Sequence, residues 1–219
     1  MNNARRAAFA AASLLLLAPA CAYRITPPVN PPSPTEVFVI DYGQHSGLVL
    51  PAESGELREY AYGEWEWFAK NNQGWWRGPA ILIVPSAGTL GVRPSPLSPD
   101  ELTRAAAMDS PRSAIAGVAE EVHEVRVEAA RVAELRKRLD AALMEKRDES
   151  HFNPEQGMLF VPDPRRYSMC FHCNSAIAEW LRALGCEVHG LGGIADFEVE
   201  KASNSPAAVR SAPASAPPR

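Results

Sequence analysis

Cysteine is scarce in this chain, which also lacks a basic surplus and an apolar run of membrane-spanning length. Four cysteines occur among 219 residues, and 22 Lys and Arg face 26 Asp and Glu. With no basic patch, the charge argues against a nucleic-acid partner. The apolar stretch at residues 7–17 is too short to span a bilayer. No internal repeat is present, which excludes repeat architectures.

The first 20 residues have the organisation of a bacterial secretion signal. Arg5 and Arg6 precede the apolar stretch, and Ala18-Pro19-Ala20-Cys21 follows as a small-residue cleavage site. This resembles a lipoprotein signal in which Cys21 becomes the diacylated first residue, with ordinary cleavage nearby as the alternative. Several acyl chains exceed what stable anchoring needs. We therefore expect a lipid-anchored protein on the periplasmic side of the cell envelope, at the outer membrane.

Loss of the signal changes both charge and thiol count. Removing Arg5 and Arg6 leaves 20 basic against 26 acidic residues, a formal charge near −6. Lipidation of Cys21 leaves Cys170, Cys173 and Cys186, an odd number in an oxidising compartment. At least one thiol is therefore expected to be free.

Composition divides the chain into four parts. Residues 1–20 are the signal peptide, and residues 21–35 combine the lipidated cysteine with a proline-rich tether. Residues 36–200 are long enough for a single domain with a sizeable core. Residues 201–219, rich in Ala, Pro and Ser, predict a disordered tail.

Strand and helix patterns mix within the domain without strict alternation. This favours an α+β fold over a doubly wound sheet. Ser98-Pro99-Asp100-Glu101 has the signature of a capped helix start. The patterns predict strands around 37–42, 47–51, 57–62, 80–84, 121–127 and 158–161, and helices from 98, over 129–146 and over 174–185.

Cys173 is the most informative residue because it stands where a helix begins. Ile177, Trp180 and Leu181 recur at helical spacing after it, and Gly185 follows as a stop signal. The free N–H groups and the positive dipole end of a first turn lower a thiol pKa, and the thiolate is the nucleophile. The alternative is a half-buried cysteine that only packs.

His45 is the candidate base for that thiol. It lies in a turn, Gly43 to Gly47, between two β-branched strands, so it is presented at a strand start. Nucleophile and base need only be neighbours in space. The alternative is a structural histidine. His172 adjoins Cys173 in sequence and competes as base, but a neighbour at a helix start points elsewhere.

Three short segments resemble an uncharacterised bacterial family first noted near urease genes. They are Gly43-Gln44-His45-Ser46-Gly47-Leu48-Val49-Leu50-Pro51, the aromatic stretch 60–68, and Cys173-Asn174-Ser175 followed by Ala183-Leu184-Gly185. The resemblance covers residues 36–199, although Gln44 and Ala176 stand where the family has tryptophan.

The order of an early histidine strand and a late cysteine helix is also similar to circularly permuted papain-like enzymes. Their relatives include lecithin retinol acyltransferase and cell-wall amide hydrolases. The resemblance implies an α+β domain in which a small antiparallel sheet packs against helices, with the cysteine at a helix N-terminus. Fold similarity alone does not fix the reaction.

A third group is needed to orient the imidazole. Glu64 matches the family's carboxylate, and Glu59 is the alternative because strand alternation places it on one face with Ala61. The alternative, favoured for either residue taken individually, is a solvated charge on an amphipathic strand. For the oxyanion, the backbone N–H of Cys173 is one candidate donor and the Gln44 amide is a second.

A zinc site is the competing interpretation of the cysteines. Cys170-x-x-Cys173 and Cys186-x-x-His189 form two ligand-like pairs. The helix between them would hold the pairs about 15 Å apart, which also disfavours a Cys170–Cys186 disulfide. We expect no metal and no cofactor.

Aromatic residues cluster just after Glu64. They form either a cleft for a sugar or acyl chain or part of the core. The cluster comprises Trp65, Trp67, Phe68, Trp75 and Trp76.

Two classes of function follow. In the first, a cysteine hydrolase or acyltransferase acts on an amide or ester, with Cys173 as nucleophile and His45 as base. Its substrate would be a cell-wall or acyl compound. In the second, a non-catalytic envelope lipoprotein uses the fold to bind peptidoglycan or a partner protein.

Overall fold

The computed structural model describes residues 22–43, 45–52, 54–74, 83–107, 119–190 and 197–200. The predicted signal, the lipidation site Cys21, the oxyanion candidate Gln44, the pair Trp75 and Trp76, and the predicted tail lie outside these residues.

Within the described residues, ten strands and three α-helices make a mixed α+β fold. The strands are β1 Tyr23–Thr26, β2 Pro34–Asp41, β3 Ser46–Pro51, β4 Leu57–Glu64, β5 Ser86–Pro94, β6 Glu121–Glu128, β7 His151–Asn153, β8 Met158–Tyr167, β9 Glu187–His189 and β10 Phe197–Val199. The α-helices are α1 Pro99–Ala107, α2 Ala129–Glu145 and α3 Cys173–Ala183. A π-helical turn, Trp65–Ala69, follows β4, and a 3₁₀ turn, Arg147–Glu149, follows α2.

Seven strands form the main sheet, in the order β6-β2-β3-β4-β5-β8-β7. Every neighbouring pair in it is antiparallel. The sheet is therefore larger than the small sheet that the sequence predicted. Its centre, β3 to β5, carries the β-branched and aromatic residues that suit a pleated surface buried on both sides.

Strand alternation divides the sheet into two faces that bury different groups. The face with Tyr60 and Tyr62, called here the helix face, shares a core with Ile177 of α3 and Leu135 of α2. Ala61 lies on the opposite face, called here the cavity face, which packs against Phe68 of the π-helical turn. Further along that face, β2 and β3 pack against α1. The two faces thus separate two chemical environments.

The helices begin and end where their signals predict. Ser98 and Glu101 form a reciprocal capping box, in which the Glu101 carboxylate accepts from the Ser98 N–H at 2.8 Å and Ser98 Oγ accepts from the Glu101 N–H at 3.4 Å. Helix α3 ends before Gly185, whose φ of 94° needs a glycine. Among the described residues, no helix has the length and apolarity needed to cross a membrane.

Three predictions of secondary structure are wrong. The strand predicted at 80–84 is not formed where it is described, since Ile83 and Val84 are 75 % and 63 % exposed and lie outside any strand. Strand β8 runs on to Tyr167 beyond the predicted end at residue 161. The proline-rich tether predicted for residues 21–35 is interrupted by β1 and already gives way to β2 at Pro34.

Strand β1 belongs to a second, three-stranded sheet. It pairs antiparallel with β9 and parallel with β10. Its Tyr23 and Ile25 are 6 % and 0 % exposed and enter the same core as α3. The alternation of apolar and polar residues in Tyr23-Arg24-Ile25-Thr26 explains this burial. The strands that pair with β1 come more than 160 residues later in the sequence, so its pairing was not predicted.

Candidate functional site

Helix α3 carries Cys173 into the interior of the protein. His172 precedes it with an extended backbone, so the helix starts at the cysteine itself. The apolar stripe that begins at Ile177 packs on β3 and β4, and this holds the first turn against the helix face. Cys173 is only 4 % exposed as a result. The predicted position of the cysteine at a helix N-terminus is thus what the structure contains.

The sulfur of Cys173 is surrounded by hydrogen-bond donors. Burial raises the pKa of the thiol to about 11. The N–H of Asn174, the hydroxyl of Tyr167, the N–H of Ser46 and the cysteine's own N–H oppose that rise, because each favours the anionic sulfur. A neutral thiol is a weak acceptor for such a set, whereas a thiolate or an oxyanion would satisfy it.

Strand β3 and helix α3 are joined beside this sulfur. Ser46 Oγ donates a hydrogen bond to Asn174 Oδ1 at 2.6 Å, and both residues are buried. The Cys173 thiol donates to the same amide oxygen at 3.5 Å. The start of the histidine strand therefore touches the start of the cysteine helix, as the sequence predicted, but the contact is made by Ser46 and not by His45.

Glu64 and Tyr167 extend the polar surroundings of the thiol. Glu64 is 1 % exposed, and its Oε2 accepts the backbone N–H of Trp67 at 2.6 Å, which caps the π-helical turn. Burial, Cys173 and, more weakly, Glu64 all raise the pKa of Tyr167. Strand alternation places Glu64 on the helix face with Tyr60 and Tyr62, the face on which α3 carries Cys173. Tyr167 was not predicted, and nothing in its local sequence singles it out.

His45 lies on the other side of the sheet. Its half-buried ring packs between Phe68 and Tyr42, with ring centroids 4.4 Å and 6.3 Å away. Phe68 belongs to the cavity face, whereas α3 packs on the helix face. No hydrogen bond joins His45 to Cys173 in the described structure. Burial, followed by the charge of Arg93, lowers the pKa of His45 to about 3, so the ring is neutral at physiological pH.

The two predicted orienting carboxylates do not hold the His45 ring. Its Nδ1 is buried and has no hydrogen-bond partner among the described residues. Glu59 instead accepts from Tyr42 at 2.9 Å and from Arg93 at 2.8 Å. The other predicted base, His172, is buried at the N-cap position of α3. The predicted site residues therefore lie on both faces of the sheet, with Cys173 on the helix face and His45 on the cavity face, and do not form the single site that was predicted.

A cavity of about 340 Å³ opens beside His45. Glu59 is fully buried at its wall and forms an ion pair with Arg93, whose side chain is 20 % exposed. Arg93 also donates to Tyr42 Oη at 2.8 Å and to the Gln156 carbonyl at 2.7 Å. Sequence reasoning missed Arg93 because the strand that carries it, β5, is rich in glycine and was not predicted.

The remaining cysteines give no metal site. Cys170, Cys173 and Cys186 are all free, with Cys170 exposed and the other two buried. In the described part of the chain, no group of three or more His, Cys, Asp or Glu residues is placed to hold a metal ion. Cys186 follows the end of α3, and burial raises the pKa of its thiol to about 12.

No family model, curated protein or solved structure matches this chain. Its function must therefore be argued from the chemistry of the two faces.

Proposed function

We propose that the chain is a lipid-anchored enzyme of the bacterial cell envelope in which Cys173 attacks the carbonyl of an amide or ester. The observation that carries the proposal is the position of Cys173 as the buried first residue of α3, beside the Ser46–Asn174 contact, where a set of three backbone N–H groups and the Tyr167 hydroxyl lowers the pKa of its thiol. Such a set stabilises negative charge on the sulfur, or on an oxygen bonded to the carbon that the sulfur attacks.

The fold is consistent with the permuted papain-like arrangement that the sequence resembles. A cysteine begins a late helix, that helix packs on an antiparallel sheet, and an early strand meets it at Ser46. These features are few, and the finer fold assignment is part of the proposal.

The reaction proceeds through a thioester. The Cys173 thiol loses its proton to a base, an S–C bond forms, and the amide C–N or ester C–O bond breaks as the leaving group takes up that proton. Water then hydrolyses the thioester, or a second nucleophile accepts the acyl group. We assign the oxyanion to the backbone N–H groups of Cys173 and Ser46, both of which favour negative charge at the sulfur.

Two residues are candidates for activating the thiol, His45 as the base and Tyr167 as a hydrogen-bond donor. His45 stands one residue before Ser46, but its ring must leave the cavity face to reach the sulfur. Tyr167 has a raised pKa and keeps its proton, so its hydroxyl can stabilise the thiolate but cannot take the thiol proton. A thiol of pKa about 11 has only about one thiolate in ten thousand molecules at pH 7, so activation by one of the two is required.

Acylation of the thiol tests the proposal. A full-length Cys170→Ser/Cys186→Ser chain is treated with p-nitrophenyl acetate, and the acetylated residue is identified by mass spectrometry. We expect stoichiometric acetylation of Cys173 and slow release, with none in the added Cys173→Ser variant. The matched control is the Cys170→Ser/Cys173→Ser chain, in which buried Cys186 should stay unmodified. Failure of Cys173 to acylate, while exposed Cys170 in the wild type reacts, would rule out thiol catalysis.

The same acylation assay identifies which residue activates the thiol. Tyr167→Phe should slow acylation if the hydroxyl beside the sulfur activates it, whereas His45→Ala should slow it only if the imidazole swings across from the cavity. If neither variant changes the rate, the proposed activation is wrong.

The second candidate function is ligand binding without catalysis. The specific observation that favours it is the polar cavity on the face opposite Cys173. It does not exclude the first, because the two features use different residues.

A further inference from the structure

The cavity beside His45 has the size and walls of a binding site for a small molecule. Its volume of about 340 Å³ is near the lower end of the roughly 300–1,000 Å³ that ligand pockets occupy. Phe68, Met158 and Pro96 supply apolar wall, while His45, Arg93 and Gln156 supply polar wall. Phe68, Arg93 and Met158 lie in the π-helical turn, β5 and β8, whereas His45, Pro96 and Gln156 lie in the loops beside these elements.

The charges at the wall favour a neutral ligand. Both carboxylate oxygens of Glu59 are already bonded, one to Tyr42 and one to Arg93, so the buried ion pair balances itself. Exposed Glu155 adds a negative charge at the rim, which disfavours anions. A cation would meet the Arg93 guanidinium. Neither sign of ligand charge is therefore matched by the cavity.

Hydrogen-bonding capacity is left over at two wall residues. Arg93 has five N–H donors, and its described hydrogen bonds to Glu59, Tyr42 and Gln156 occupy three of them. A neutral imidazole has one donor and one acceptor; within the described chain Nδ1 of His45 is buried without a partner and no hydrogen bond engages Nε2, so the ring can pair with a ligand through Nε2. A ligand that both accepts and donates hydrogen bonds would complement this wall.

We propose that this cavity binds a small neutral molecule carrying a secondary amide next to a short apolar group. The amide carbonyl accepts from Arg93, the amide group pairs with the His45 ring, and the acyl carbon chain lies against Phe68 and Met158. Two sources share this chemistry: an N-acylated sugar and an N-acylated peptide. The site uses no atom of Cys173, so it stands apart from the proposed thiol chemistry.

The test is an NMR titration of the full-length chain, in detergent, with its histidine rings isotopically labelled. N-acetylglucosamine and N-acetylalanine amide are the two amide probes, and glucose and acetate are controls that lack the amide. The ring signals of His45, one of five histidines, are assigned by their loss in His45→Ala. We expect a saturable shift of the His45 signals with one or both amide probes and none with either control.

Variants separate this site from the rest of the molecule. Pro96→Trp, which places a large ring at an exposed edge of the cavity, should weaken binding at least tenfold. Val29→Trp, at a position that is 83 % exposed and remote from the cavity lining, is the matched control and should leave it unchanged. Cys173→Ala should also leave binding unchanged, even if acylation of Cys173 fails.

The outcomes divide cleanly. A shift with the sugar alone, the peptide alone or both supports the site and identifies the source of the amide. No saturable shift with either probe, an equal response to acetate, or full binding in Pro96→Trp overturns the proposal.

Discussion

Replacing Arg93 by methionine should destabilise the protein strongly, because it leaves a fully buried carboxylate without its counter-ion. Glu59 is 0 % exposed; Arg93 donates to it through Nε at 2.8 Å, and Nη2 forms an ion pair with it at 2.8 Å. Removing one partner of a buried pair costs about 3–5 kcal/mol. Because the Arg93 side chain is 20 % exposed, we expect the lower end, about 3 kcal/mol.

The loss should depend on pH in a defined direction. Burial raises the pKa of Glu59, and the charge and hydrogen bonds of Arg93 oppose that rise, so the variant has a still higher pKa. A carboxyl with a raised pKa in the folded state contributes stability at low pH and loses it as pH rises through the folded value. The cost of Arg93→Met should therefore be smallest below the unfolded pKa of about 4.3 and grow toward neutral pH.

Urea unfolding followed by tryptophan fluorescence measures this effect. At an m value of about 2 kcal/mol/M, 3 kcal/mol corresponds to a midpoint lowered by about 1.5 M at pH 8. Glu59→Gln keeps a partner for Tyr42 and should cost less, about 1–2 kcal/mol, and the double variant should cost less than the sum. A midpoint shift below about 0.5 M that is the same at pH 5 and pH 8 would show that the pair is not buried as described.

Two further changes test the packing and the anchor. Gly47→Ala should lower the free energy of unfolding in urea by about 1–3 kcal/mol, because the added Cβ would overlap the Glu59 side chain. The control Glu134→Ala, on the exposed side of α2, should change it by less than about 0.5 kcal/mol. Equal effects of the two substitutions would contradict the close packing at Gly47. Cys21→Ser should release the protein from membranes or block its processing in cell fractionation, because the thioether to lipid needs the sulfur; unchanged membrane attachment would disprove the lipoprotein assignment.

Local patterns predicted the elements that local physics determines. The capping box at Ser98 and the apolar stripes of α2 and α3 are satisfied within one helix and the face it packs on. Strand β8 extends beyond the predicted end at residue 161 and past Pro162 and Pro164, which cannot donate to a ladder, with a register shift opposite Ala87 and Gly88. Such a register shift depends on the pairing with β5, and the sequence of β8 alone does not specify that pairing.

The candidate site failed to assemble from sequence for the same reason. The start of β3 meets the start of α3 through Ser46 and Asn174, but the predicted contact between Cys173 and His45 is not formed. The direction of the His45 ring depends on the pleat of β3, where one residue changes the face. The role of Arg93 depends on the register of β4 with β5, which places Arg93 opposite Glu59.

Strand β1 changes what an anchor at Cys21 would do. A single residue, Ala22, separates that cysteine from Tyr23, so a lipid there would hold the small sheet within about 7 Å of the bilayer. The domain would then be held directly at the membrane surface and would not move freely at the end of a flexible tether. Detaching β1 would free residues 23–33, up to about 40 Å of extended chain, at the cost of exposing Ile25. The distance between the domain and the membrane could therefore increase only if mechanical force or local unfolding detached β1.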